Sequence, residues 1–148
     1  NERAYPFMDE GINSYYEMQY MLSRYPDLYL DDYTNVPPWI ASLLDIDSLP
    51  YYLYYFIPYE IAAKMNYDQS SFLHSDDYNM YNYFAITYLK NAFVLNYFKE
   101  SVGEANMDKA MQHYYKKWKF RHPYPEDFRN SLEESLDADV DWLFDQLL

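Results

Sequence analysis

The sequence contains no cysteine, which excludes a disulfide framework, a thiolate metal site and a cysteine nucleophile. Only 2 of its 148 residues are glycine, and no Asn-Gly or Asp-Gly dipeptide occurs, so tight β-hairpins are not expected. No apolar run approaches the roughly 18 residues that a membrane-spanning helix needs. Cations are scarce too. The 11 Lys and Arg residues against 24 Asp and Glu give a net charge of -13, which argues against nucleic acid or an anionic membrane surface as a partner.

Tyrosine is the residue that the sequence has in excess. There are 21 tyrosines, and half of all residues are apolar or aromatic, so we expect a folded core within a single helical domain over residues 1–148. A tyrosine side chain combines a large apolar area with a polar tip. Two interpretations are open: a core and boundary layer built with tyrosine, or a dedicated aromatic platform that holds peptide or glycan.

Helical periodicity predicts an all-α fold, an antiparallel array of helices. The first helix is predicted from Asp9 to about Tyr25, where Pro26 closes it. A short helix is predicted over Trp39–Leu44, and a further one over Tyr51–Met65 with a break at Pro58. The apolar stripe predicted for the first helix consists of Ile12, Tyr15, Tyr16, Gln19, Tyr20 and Leu22.

The second half of the chain is also predicted to be helical. The longest helix is predicted from Asp76 to Ser101, with Gly103 in a left-handed conformation just past its end. Another helix is predicted over Glu104–Lys119 and is stopped by the sequence HPYP. The following helix begins at Pro125, a residue suited to the first turn, and a short terminal helix covers Asp139–Leu147.

The three histidines do not form a helical zinc clamp. His74, His113 and His122 never stand four residues apart, so the H-x-x-x-H spacing is missing from these residues. The basic cluster KKWKFRH, Lys116–His122, interleaves aromatic residues as a nucleic-acid patch would. In so acidic a chain we interpret it instead as the cationic C-terminal end of a helix.

The string D-E-G-I-N-S-Y-Y-E, Asp9–Glu17, resembles the N/D-E-G-F-x-x-Y-x-E segment of the aminopeptidase-N-like zinc metallopeptidases, the gluzincins. The resemblance implies that Glu10 is the third zinc ligand, after two His ligands on an H-E-x-x-H helix whose Glu is the general base. An acid at a helix start also has a simpler interpretation, compensation of the helix dipole. Since the chain holds no such helix, we expect it upstream of Asn1, which would make these residues the C-terminal part of a catalytic domain.

Further segments resemble the same family in the same order. I-T-Y-L-K-N, Ile86–Asn91, is similar to a Y-x-K-G stretch, and the resemblance implies that Tyr88 donates a hydrogen bond to the tetrahedral intermediate. Tyr83 matches a tyrosine common five residues earlier in relatives. The segment Tyr114–Phe128 resembles Y-x-x-W-x-F-x-H-P-x-P-x-D-F of bacterial members, and the string DADVDWLFDQLL resembles their closing helix.

The sequence departs from the family pattern at a few positions. Phe7 stands where Trp is common before the E-G motif, and Asn91 replaces the usual Gly after Lys90. Asp137 and Ala138 replace a Gly of the closing segment. These positions concern packing and turns rather than the implied zinc ligand or the tyrosine.

Two residues beside Glu10 have predicted supporting roles. Gly11 is predicted to let the helix that carries the two His ligands approach closely, because it has no Cβ. Glu17 lies seven residues after Glu10, on the same helical face, where it would orient a ligand or line the substrate cleft. A solvated helix acid is the alternative for Glu17.

The resemblance implies zinc-dependent hydrolysis of peptides, with the upstream part of the same domain as a partner. Relatives of the bacterial type are often exported, which implies an extracytoplasmic location. Without the His ligands, these residues alone are expected to bind zinc poorly and to be inactive. The alternatives are a non-catalytic, Tyr-rich helical binding module for peptide or glycan, and a relative that kept the fold and lost catalysis.

Overall fold

Helices are the regular elements that the computed structural model shows over residues 3–148, the part of the chain it describes. No strand occurs in this range apart from one isolated bridge between Tyr29 and Pro50, which confirms the predicted all-α fold. Short 3₁₀ turns connect several of the helices. Within residues 3–148 the seven α-helices are α1 Glu10–Arg24, α2 Pro38–Leu43, α3 Leu53–Lys64, α4 Met80–Phe84, α5 Asn91–Val102, α6 Glu104–Trp118 and α7 Pro125–Leu136.

Proline and glycine set several of these boundaries as predicted. α7 begins at Pro125, and the backbone N–H of Tyr124 donates to the Asp127 carboxylate at 2.9 Å. Gly103 separates α5 from α6 with φ at 87°, so the predicted positive φ is confirmed. The predicted limits of α2 and α6 agree with the structure to within one residue. Local chemistry therefore decides where these helices stop.

The predicted longest helix is present in a different form. α4 leads into a π-helical segment, Ala85–Lys90, which continues directly into α5. The predicted start at Asp76 was wrong, because Asp76 lies in a separate 3₁₀ turn. The helix starts after Asn79, whose side chain accepts a hydrogen bond from the Asn82 backbone N–H at 2.9 Å. An asparagine N-cap satisfies a free backbone donor, which the earlier acids do not.

The predicted break at Pro58 was also wrong, since α3 runs through it. A proline lacks the N–H that would bond to the carbonyl of Tyr54, which ordinarily weakens a helix. Packing keeps α3 continuous on both sides of the proline. Before the proline, Tyr55 is buried and the Phe56 ring lies 4.9 Å from the Phe93 ring of α5, centroid to centroid; after it, Ala62 is buried.

The buried face of α1 differs from the predicted stripe. Tyr16 and Tyr20 are 47% and 61% exposed, so the stripe was wrong at these two positions. Two of the buried residues are small and let α1 lie close to α5. The buried positions recur at three- and four-residue steps: Gly11, Ser14, Tyr15 and Met18.

The π-helical segment Ala85–Lys90 lies between α1 and α3 and contacts both. α6 pairs with α7, and both contribute to the core through residues such as Met107, Phe128 and Leu132. A second π-helical segment, Leu143–Leu147, follows one short α-helical stretch at residues 141–142, so the predicted terminal helix is present except for its first two residues. This arrangement places the start of α1 directly against the segment that carries Tyr88.

Candidate functional site

Glu10 is the first residue of α1, and it is partly buried. Its carboxylate stands at the positive end of the helix, where a negative charge is stabilised by about 0.3–1 kcal/mol. Asp9 precedes it and accepts a hydrogen bond from the Asn13 amide at 3.2 Å. The two adjacent acids therefore have different surroundings, and only Asp9 is engaged within its own helix turn.

Gly11 is the position at which α1 comes closest to the neighbouring helix. A Cβ at Gly11 would lie 2.7 Å from the Cβ of Asn91 and 3.0 Å from the carbonyl oxygen of Thr87. Both distances are shorter than van der Waals contact, so a glycine is needed here. The predicted partner was wrong: the space beside Gly11 is filled by the helix that carries Tyr88, not by a helix of His ligands.

Polar side chains stabilise the π-helical turn that faces Gly11. The Thr87 hydroxyl donates to the backbone carbonyl of Tyr83. The Asn91 side-chain amide donates to the carbonyl of Ile86 at 2.5 Å, and the Asn91 backbone N–H bonds to the same oxygen. Asn91 is fully buried and Thr87 likewise. Single widened turns of this kind occur frequently at functional sites.

The widened turn brings Tyr83 and Tyr88 to the same side of the helix. Tyr88 follows Tyr83 by five residues, and in a regular α-helix two such residues lie on different faces. In a π-helical turn, by contrast, the backbone hydrogen bond joins residues that are five apart. Their ring centroids are 6.1 Å apart with an interplanar angle of 67°. The Tyr78 ring continues the row, 6.0 Å from the Tyr83 ring. The family spacing of the two tyrosines thus has a structural reason.

Tyr88 and Glu10 meet across the α1 contact. The Glu10 carboxylate and the Tyr83 hydroxyl lie close enough to the Tyr88 hydroxyl to affect its ionisation. Burial raises the pKa of Tyr88 above its usual range, and the Glu10 carboxylate and Tyr83 raise it further. The phenol therefore keeps its proton at neutral pH and acts as a hydrogen-bond donor. Three of the four predicted site residues, Glu10, Tyr83 and Tyr88, are brought together.

Glu17, the fourth predicted residue, faces a different set of side chains. It is exposed, and its charge acts on Tyr54 and Tyr55 of α3. Burial raises the pKa of Tyr55 to about 12, with Glu17 as a further cause. Glu17 is not among the groups that shift Tyr88. A role for Glu17 in orienting a ligand of Glu10 stays a prediction.

Two of the three histidines are engaged with acidic residues other than Glu10. His74 accepts a hydrogen bond from the Asp76 backbone N–H at 3.3 Å, and His113 pairs with Glu134 at 3.1 Å. Within residues 3–148, the one group of three side chains close enough to hold a metal ion does not include Glu10; it consists of Glu133, Asp139 and Asp141. A zinc site needs at least three protein ligands. Among the described residues, Glu10 thus belongs to no group of three side chains that could complete such a site.

Lys90 is a buried residue that the sequence patterns did not single out as functional. Its ammonium group donates to the Leu148 carbonyl at 3.3 Å and lies 5.3 Å from the centroid of the Tyr59 ring. Burial lowers the pKa of Lys90 to about 8, partly offset by the charge of Asp68. Lys90 follows Tyr88 by two residues and joins the π-helical segment to the end of the chain. The one feature of the sequence that pointed to Lys90 was its place as the lysine of the Y-x-K string.

Comparison with known proteins places this arrangement in a family. The model of the peptidase family M1 domain matches residues 59–147, which is more than half of the chain. The chain belongs to peptidase family M1. The matched part of this M1 chain includes Tyr83, Tyr88 and Lys90, whereas Glu10 and Glu17 precede it. No curated protein and no solved structure matched the chain significantly.

Membership of a peptidase family implies a peptide substrate for the M1 chain. Among residues 3–148, none of the helices has both the length and the apolar character that crossing a membrane requires. The tyrosines are spread between core and surface: Tyr51 and Tyr55 are buried, whereas Tyr20 and Tyr115 are more than half exposed. The chain therefore uses tyrosine both as core material and as surface, and the choice between the two interpretations stays a prediction.

Proposed function

We propose that this chain forms part of the active site of a zinc-dependent, aminopeptidase-N-like peptidase. Glu10 is the metal ligand, and Tyr88 is the hydrogen-bond donor to the oxyanion that develops on the scissile carbonyl. The observation that supports this assignment is the meeting of Glu10 and Tyr88 from separate helices, in a chain that belongs to peptidase family M1. The two His ligands and the general base would come from an H-E-x-x-H segment outside residues 1–148.

The chemistry divides between the metal and the residues of this chain. A bound zinc ion would supply a Lewis acid and a water of lowered pKa. Glu10 supplies a carboxylate whose position is set by the close contact of α1 with the π-helical segment. Tyr88 supplies a phenol that is protonated at neutral pH and lies near that carboxylate. A preorganised donor of this kind contributes about 3 kcal/mol to the stabilisation of an oxyanion.

Tyr83 has a positioning role in this proposal. Its ring lies edge-to-face against Tyr88, and its hydroxyl is within reach of the Tyr88 hydroxyl. It restricts the rotation of the Tyr88 ring and leaves its hydroxyl directed toward Glu10. A non-catalytic binding module, the alternative considered from the sequence, would leave the convergence of these three residues without a role.

The test uses the natural polypeptide that contains this chain together with its H-E-x-x-H segment. Tyr88→Phe is expected to keep stoichiometric zinc and to lower kcat about 10²–10³-fold with little change in KM, because the donor acts in the transition state. Glu10→Gln is expected to lose zinc and hydrolysis together. Tyr97→Phe, at an exposed tyrosine of α5, is the matched control and should leave both unchanged. Full kcat in Tyr88→Phe, or stoichiometric zinc in Glu10→Gln, would contradict the assignment.

A further inference from the structure

A groove runs between α1 and α6, beside the candidate site. One end is a cleft of about 270 Å³ whose lining includes Asp9, Trp118, Lys119, Arg121 and His122. The other end is a mainly apolar depression of about 300 Å³, lined by residues such as Ile12, Tyr16 and Met111. Tyr114 and Tyr115 line both parts, so the two form one groove. We call it the α1–α6 groove.

The cationic end of this groove carries charges that the chain leaves unpaired. Lys119 and Arg121 form no ion pair with any residue in the range 3–148, although the chain has 24 acids for 11 Lys and Arg. Lys117 directly precedes Trp118 but does not line the groove, and its ammonium group by contrast forms an ion pair with the Glu134 carboxylate at 2.7 Å. The one acid that lines the cleft, Asp9, accepts a hydrogen bond from Asn13. Two neighbouring cations without partners favour an acidic ligand.

The turn that holds these cations is strained. Phe120 stands between Lys119 and Arg121, has φ at 65°, and is 97% exposed. A left-handed conformation costs a bulky residue about 1–2 kcal/mol, and exposure of the ring adds no packing in return. Strain of this kind is found at ligand-binding segments more often than elsewhere.

We propose that the α1–α6 groove binds an acidic segment of a peptide. An aspartate or glutamate of that peptide pairs with Lys119 and Arg121, and a neighbouring apolar side chain contacts Ile12, Tyr16 and Met111 in the apolar end. Because Asp9 lines the groove and directly precedes Glu10, the bound peptide is a substrate held beside the candidate site. The substrate part of this inference rests on the proposed function, whereas the binding itself requires neither zinc nor Tyr88.

The experiment measures binding of fluorescent octapeptides to the 148-residue chain by anisotropy, without metal. The acidic probe carries two aspartates flanked by leucine and phenylalanine, the neutral probe carries asparagines instead, and the basic probe carries lysines. The acidic probe is expected to bind about tenfold tighter than the neutral one, as two partly exposed ion pairs provide. The Lys119→Gln/Arg121→Gln variant is expected to lose this preference.

Two controls separate the groove from other causes. Lys64→Gln removes an exposed cation of α3 and should leave the preference intact. Tyr97→Phe, at an exposed tyrosine of α5, should also leave it intact. Because binding is measured without metal and without hydrolysis, a failed catalytic assignment and a failed groove assignment are distinguishable. Circular dichroism verifies that the double variant is folded, as expected because neither cation pairs within the described residues. Equal binding of acidic and neutral probes, tighter binding of the basic probe or of a single-stranded oligonucleotide, or an unchanged preference in the double variant would overturn the inference.

Discussion

The Tyr88 hydroxyl lies near enough to the Glu10 carboxylate for the carboxylate to raise its pKa, although the two residues belong to separate helices. The contact depends on Gly11, which lets the start of α1 lie against the π-helical segment Ala85–Lys90. Glu10, which the family resemblance connects with metal binding, thus lies near Tyr88, which it connects with catalysis. The predictions below test the parts of the structure on which this meeting depends.

The first prediction concerns zinc binding by the 148-residue chain. A zinc site needs three protein ligands, and within residues 3–148 Glu10 belongs to no group of three side chains that could hold a metal ion. Isothermal titration with zinc is therefore expected to show no stoichiometric binding tighter than about micromolar, a free energy of about -8 kcal/mol. Any weak binding should be the same in Glu10→Gln. Tight binding that disappears in Glu10→Gln would contradict this description.

The second prediction concerns the contact between Gly11 and Asn91. Gly11→Ala places a Cβ 2.7 Å from the Asn91 Cβ, and overpacking of this kind costs about 1–3 kcal/mol of the free energy of unfolding. Chemical denaturation measures this loss. Ser23→Ala, at an exposed position near the other end of α1, is the control and should change stability by about 0.5 kcal/mol or less.

A double-mutant cycle identifies the cause of that loss. Asn91→Gly removes the Cβ that a Cβ at Gly11 would meet, so the cost of Gly11→Ala should be smaller in the Asn91→Gly background. The coupling between the two positions is expected to be about 1 kcal/mol. Additive effects would show that the clash is elsewhere, for example with the Thr87 carbonyl.

The third prediction concerns the pH dependence of stability through Lys90. Burial lowers its pKa to about 8 from an ordinary 10.5. Between these values the unfolded chain holds a proton that the folded chain has released, so the free energy of unfolding rises with pH. Below about pH 8 both states are protonated, and the full cost of burying the cation, on the order of 3 kcal/mol, is present.

Lys90→Met is expected to remove this dependence. The methionine keeps most of the side-chain volume, and the Leu148 carbonyl retains its hydrogen bond from the Ser71 backbone N–H. At pH 7 we expect the variant to be about 1–2 kcal/mol more stable, as is common when a buried charge is replaced by an apolar group. Denaturation at pH 7.0 and pH 9.5 measures both effects. The same rise with pH in both proteins would exclude Lys90 as its source.

The fourth prediction concerns the strained turn at Phe120. Glycine adopts a positive φ without the steric cost that phenylalanine bears, so Phe120→Gly should stabilise the chain by about 0.5–1 kcal/mol. Phe120→Ala keeps the strain and loses the exposed ring, and it should leave stability nearly unchanged. Thermal denaturation of both variants distinguishes the backbone effect from the side-chain effect. Destabilisation by Phe120→Gly would show that the ring contributes packing.

Much of the helical architecture could be predicted because it depends on neighbouring residues. Pro125 starts α7 and Gly103 separates α5 from α6 for reasons of backbone chemistry that involve no distant part of the chain. The start of α4 was missed even though its signal is local, since Asn79 rather than Asp76 satisfies the free backbone donors. To decide which of several Asp and Asn residues is the N-cap, one must compare the free energies of the turns that each would form, and the sequence pattern does not give these.

The geometry of the candidate site depends on tertiary contacts that the helical periodicity of the sequence does not reveal. Motif resemblance selected Glu10, Tyr83 and Tyr88, but regular α-helical spacing separates the two tyrosines by five residues on different faces. The π-helical turn that aligns them is stabilised by Thr87 and Asn91, whose hydrogen bonds are recognisable only in the folded chain. The position of Glu17 toward α3 was likewise decided by how α1 packs.

The sequence by itself determined that this chain is all-α, acidic, free of cysteine chemistry and similar to a zinc peptidase, because composition, breakers and motifs act locally. Only the tertiary structure decided which helix Gly11 accommodates, that α3 continues through Pro58, and that Tyr88 reaches Glu10. The physical reason is that close packing between distant segments sets these features. Their energies come from contacts that form only when α1, α3 and the π-helical segment Ala85–Lys90 are assembled.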